Sequence, residues 1–84
     1  MNKNKNNDLY STSDLALAAA ISLYYPIKSI DKKNLKKVYF VFEKDKNFDL
    51  IVECYWRGDL KVDPQKYFNS LKALKNRIYN TKLC

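Results

Sequence analysis

The sequence predicts one small α+β domain in the order helix, strand, strand, helix, strand, helix, with a small, mainly antiparallel sheet covered by three helices. Three observations carry this reading. Between Lys37 and Glu43, Val38, Phe40 and Phe42 alternate with Tyr39 and Val41, so both faces of one strand are apolar and that strand is central. Phe48, Ile51, Val52, Tyr55 and Trp56 fall at i, i+3, i+4, i+7 and i+8, the spacing of a single helical face. Finally, 84 residues leave room for one core, and seven Tyr, four Phe and one Trp supply large buried area without disulfides.

Residues 1–9, rich in Asn and Lys, are expected to form a disordered polar tail, and 10–81 the domain. Ser11-Thr12-Ser13-Asp14 resembles a capping box, with Ser11 as the cap of a helix over 14–25. Its residues Leu15 to Ile21 are apolar on every side, which makes the helix central, and Pro26 ends it. A short strand follows over 27–31, then a polar link, then the strand around Val38 to Phe42. Lys44 to Asn47 is a turn in which Asp45 is placed to cap a helix over 46–57, stopped by Gly58 in a left-handed conformation. Asp59-Leu60-Lys61-Val62 alternates and predicts a short edge strand. Asp63-Pro64 then gives an N-cap and a proline at the first helical position, opening a helix over 64–80 with Tyr67, Phe68, Leu71, Leu74 and Ile78 on its buried side. Tyr55 and Trp56 are expected to close the core.

Several function classes are excluded or disfavoured by composition. The chain has no histidine, which removes the commonest general base, the Ser-His and Cys-His pairs and most zinc sites. A single glycine leaves no phosphate-binding glycine loop, so nucleotide binding of that kind is excluded. Asp31, Glu43, Asp45, Asp49 and Glu53 sit in turns or beside lysines, as solvated acids do, and no metal, cofactor or catalytic set is expected. Two cysteines, Cys54 and Cys84, make no disulfide framework, and no apolar run is long enough to span a bilayer. With no signal-like start either, a cytoplasmic, non-enzymatic protein is expected.

The charge points to a partner. Sixteen Lys and Arg against nine Asp and Glu give +7, a balance that favours polyanions through counterion release. Two basic constellations stand out. Lys28, Lys32, Lys33, Lys36 and Lys37 crowd the first strand pair and its connection. The last helix has no acid after Asp63, and its outer side is expected to carry Lys66, Asn69, Lys72, Asn76, Arg77 and Asn80. Arg and Asn read guanine and adenine edges, and Lys positions on phosphate. DNA or RNA binding through these residues is the leading expectation. The alternative is a protein-interaction module acting as a homodimer or as a subunit of a larger assembly. An RNA-recognition strand signature over 36–43 is matched only by Lys36, Phe40 and Val41, with Lys37 and Glu43 where it has a glycine and an aromatic.

The stretches Ser13-Asp14-Leu15-Ala16-Leu17-Ala18-Ala19, Val38-Tyr39-Phe40-Val41-Phe42-Glu43, Val62-Asp63-Pro64, Tyr67-Phe68 and Leu71-Lys72-Ala73-Leu74-Lys75 resemble a small bacterial and phage family known only as a domain of unknown function. The resemblance covers roughly residues 10–80. These are packing and capping positions, so it implies a common fold and transfers no catalytic residue.

Overall fold

The computed structural model describes residues 8–33 and 36–79. Residues 1–7 of the tail expected over 1–9, with Asn34, Asn80 and Cys84, lie outside the described residues. Six elements follow one another: β1 (Leu9–Thr12), α1 (Leu15–Ser22), β2 (Ser29–Asp31), β3 (Tyr39–Glu43), α2 (Phe48–Arg57) and α3 (Pro64–Tyr79). The strands form one antiparallel sheet in the order β1-β3-β2. The fold is α+β, with three helices and a three-stranded sheet whose centre is the strand of alternating Phe and Val residues.

The third strand is not 59–62 but Leu9–Thr12, at the start of the chain. A central strand with apolar groups on both faces needs a neighbour at each edge. The second edge of β3 is filled by Leu9, Tyr10, Ser11 and Thr12, opposite Glu43, Phe42, Val41 and Phe40. Residues 59–62 run as a loop. Their alternation is real, since Leu60 and Val62 are half-buried and Asp59 and Lys61 exposed, but the backbone joins no ladder.

Ser11 is therefore a strand residue, and Asp14 caps α1 in its place. The Asp14 carboxylate accepts from the Leu17 N–H at 3.1 Å, while the Thr12 hydroxyl accepts from the Asp14 N–H at 3.1 Å. The helix ends at Ser22, before Pro26, and the Tyr24 and Tyr25 N–H groups both donate to the Ile21 carbonyl in the turn beyond. Leu17, Ala18, Ala19, Ala20 and Ile21 are all buried, so α1 is enclosed on every side as its composition predicts.

On the inner face of the sheet, Phe40 and Phe42 meet Phe48, Leu17, Ile21 and Leu74 in the core. Phe48 lies at the centre of an aromatic cluster, 4.9 Å from Tyr25, 5.2 Å from Tyr10 and 6.0 Å from Phe42 between ring centroids. The Ala-rich α1 lets α3 approach closely. Ser22 and Ser70 hydroxyls meet at 2.6 Å, and the Tyr67 hydroxyl donates to the Ala16 carbonyl at 3.2 Å.

At the start of α2, Asn47 occupies the cap position without a side-chain bond. Asp45 works one step earlier, accepting the Asn47 N–H on its carboxylate at 2.9 Å and the Phe48 N–H on its carbonyl at 3.1 Å. Gly58 terminates the helix at φ 80° and ψ 14°, the left-handed stop its type predicts. Trp56 does not close the core. It is 62% exposed, with its ring set edge-on against Tyr55 at 5.1 Å. The reason is angular, because at about 100° per residue Trp56 lies about 80° from Phe48 around the helix axis. Asp63 caps α3 as expected, its carboxylate accepting the Lys66 N–H at 2.9 Å with Pro64 in the first position.

Candidate nucleic-acid interface

The basic residues singled out in the sequence come from two elements, and one hydrogen bond links them. The Lys32 ammonium donates to the Arg77 carbonyl at 2.9 Å. Carbonyls in the last turn of a helix have no partner further along it, and they carry the negative end of its dipole, so a lysine there is favourable by about 0.3–1 kcal/mol. The connection after β2 is thereby tied to the C-terminal end of α3. Lys33, Lys36 and Lys37 are exposed on the same connection, with the Lys33 N–H held by the Asp31 carboxylate at 3.0 Å.

Lys66, Asn69, Lys72, Asn76 and Arg77 are all exposed on α3. Asn69 accepts a hydrogen bond from Gln65 one turn earlier at 3.4 Å, and Lys72 sits over the Phe68 ring, 5.4 Å from its centroid. α3 spans 16 residues, about 24 Å, and none of them is acidic. Lys28 stands apart from this surface. It lies at the other end of β2 from Lys32, bonded to Glu43 at 3.0 Å.

Phe68, expected on the buried side of α3, is 56% exposed. It follows Tyr67, which points inward, and one residue rotates a helix by about 100°. Tyr79 is 77% exposed. Both rings, and Lys75, extend the basic surface beyond the residues singled out in the sequence. A helical wheel centred on Leu74 and Tyr67 would have found them.

The outer face of the sheet is open. Leu9 and Ser11 of β1, Val41 of β3 and Ser29 and Asp31 of β2 line a shallow depression of about 650 Å³, with Lys32 and Lys33 on its border. Phe40 is 1% exposed and turned to the core, so it offers no ring to a base.

Elsewhere the side chains make structural pairs. The Tyr25 hydroxyl donates to the Asp45 carboxylate at 2.6 Å. Burial and this bond push Tyr25 up to about 12, and the same hydroxyl, with the Asn47 N–H, holds Asp45 below its ordinary value. Cys54 is half-buried, with the Arg57 guanidinium 3.8 Å from its sulfur. Among the described residues no group of three or more Cys, Asp or Glu gathers as metal ligands, and no helix is long and apolar enough to cross a membrane.

Residues 7–80 match the family model of DUF5659, a domain of unknown function, and the chain belongs to that family. No curated protein and no solved structure matches it.

Proposed function

We propose that this member of the DUF5659 family is a non-enzymatic accessory protein that binds DNA or RNA, docking the outer side of α3 and the connection over 32–37 against phosphates. The observation that carries the reading is the Lys32–Arg77 bond, which joins two basic stretches into one surface. Along α3, Lys66, Lys72, Lys75 and Arg77 share the helix with no acid. Lysines and arginines arranged this way displace condensed counterions from a phosphate backbone, which gives affinity and its salt dependence. Asn69 and Asn76, exposed between them, are side chains suited to base edges. Lys28, neutralised by Glu43, is left at the margin.

The test is fluorescence anisotropy of the purified protein against short single- and double-stranded oligonucleotides, from low salt to about 150 mM. Binding through four to six phosphates gives a log–log salt slope of about −3 to −5. Lys72→Ala with Arg77→Ala should reduce that slope by about one per lost contact and leave the fold intact, since both side chains are exposed. Binding confined to low salt, or affinity unmoved by the double variant, would refute the proposal.

A second reading has its own observation. Trp56 and Leu50 are 62% and 56% exposed on α2, and among the described residues β1 and β2 are the edge strands of the sheet, which suits a homodimer or a subunit of an assembly. Sedimentation at micromolar concentration distinguishes it from a monomeric nucleic-acid binder.

A further inference from the structure

Phe68, Lys72, Lys75 and Tyr79 occupy positions i, i+4, i+7 and i+11 of α3. Eleven residues make just over three whole turns, so these four side chains keep within about 60° of one another around the axis and form a straight stripe. The stripe is about 16 Å long. Its two ends are rings, 56% and 77% exposed, and its middle is two exposed lysines.

An exposed aromatic is normally a cost to solubility, and here two of them lie on the most basic element of the chain. Lysine alone would suffice to hold duplex phosphates. Rings flanking lysines suit a ligand that offers anionic charge and flat apolar faces together, with a repeat of a few ångströms. Single-stranded nucleic acid has that chemistry: its bases stack on aromatic side chains irrespective of sequence while its phosphates follow the cations. In a duplex the base faces are already stacked on one another and unavailable to Phe68 and Tyr79. An anionic membrane is the other surface that takes rings and lysines, but the polar Gln65, Asn69 and Asn76 border the stripe along one side, which makes a poor apolar face for insertion.

We infer that the Phe68–Tyr79 stripe of α3 is a stacking platform for single-stranded nucleic acid, with Lys72 and Lys75 on the phosphates between the two stacked bases. The inference rests on the nucleic-acid reading above and narrows it to single strands. Lys72 already lies over the Phe68 ring, so cation and ring stand side by side on the helix surface.

The experiment is anisotropy titration of the full chain at about 150 mM salt with a labelled oligo-dT of about 12 nucleotides, a duplex of the same length and, separately, vesicles of anionic phospholipid. The single strand should bind more tightly than the duplex. Phe68→Ala and Tyr79→Ala should each weaken single-strand binding by roughly 5- to 150-fold and leave the duplex nearly unchanged. Phe68→Leu keeps an apolar side chain without a π face, and it should behave as Phe68→Ala does. Lys75→Ala should lower the salt slope by about 0.7. A duplex preference, or ring variants that bind the single strand normally, overturns the inference and leaves nucleic-acid binding standing. Failure of both oligonucleotides overturns both readings, and ring-dependent binding to vesicles alone assigns the stripe to a membrane surface.

Discussion

Replacing Phe48 by alanine removes a ring that is 0% exposed and touches Tyr10, Tyr25 and Phe42 at once. The lost transfer energy and the cavity left behind together cost about 3–5 kcal/mol for a buried phenylalanine. Three ring partners, two in the sheet and one in the turn after α1, leave little scope for collapse, which argues for the upper part of that range. A chain of this size has a total stability of about 4–13 kcal/mol at 0.05–0.15 kcal/mol per residue. The melting temperature should fall by about 12–40 °C, at 4–8 °C per kcal/mol for so small a domain. Phe68→Ala deletes the same atoms from an exposed site, where the ammonium of Lys72 lies over the ring, and should cost less than about 1 kcal/mol. Thermal unfolding followed by circular dichroism compares the two directly. Equal shifts, or a fall of less than about 5 °C for Phe48→Ala, would refute the placement of the core.

Asp14→Ala removes the cap of α1 and should cost about 1 kcal/mol in chemical denaturation, whereas Ser11→Ala should be near neutral; the reverse ranking would restore Ser11 as the cap. The Tyr25–Asp45 pair makes stability depend on pH at both ends. Tyr25 holds its proton more tightly when folded, so its contribution is complete below about pH 10 and lost as the pH rises through about 12. Asp45, whose folded value is depressed, contributes above about pH 4 and loses that contribution as the pH falls through its folded value. Tyr25→Phe should flatten both limbs in urea unfolding across pH, and a variant with an unaltered profile would show that the hydrogen bond is not maintained in solution.

The parts of the fold that were legible in the sequence are those whose pattern is local. The alternation about Phe40, the left-handed Gly58 and the Asp63-Pro64 start each carry their reason within a few residues. β1 was hidden because Leu9-Tyr10-Ser11-Thr12 is half polar and becomes a strand through what it pairs with, the vacant edge of β3. The 59–62 stretch carried the right alternation and lost the place to it. At the candidate interface the residue types were readable, but their union was not. Lys32 and Arg77 are 45 positions apart, and only the packed structure brings the ammonium of one to the carbonyl of the other. Phe68 and Trp56 share a reason for their exposure: each is a large ring at the margin of its helical stripe and not at its centre.

The pairing of β1 with β3 also sets a timetable for the chain. Leu9 to Thr12 are made before their partners, Phe40 to Glu43, which lie 28 to 34 positions downstream. At roughly 5–20 residues per second the wait is seconds, long compared with the microseconds in which a short helix forms. Throughout it α1, apolar around its whole circumference, has no sheet to shelter against and no α3 to lie beside it. The nascent protein therefore passes through a stage in which its most apolar segment is made and its cover is not.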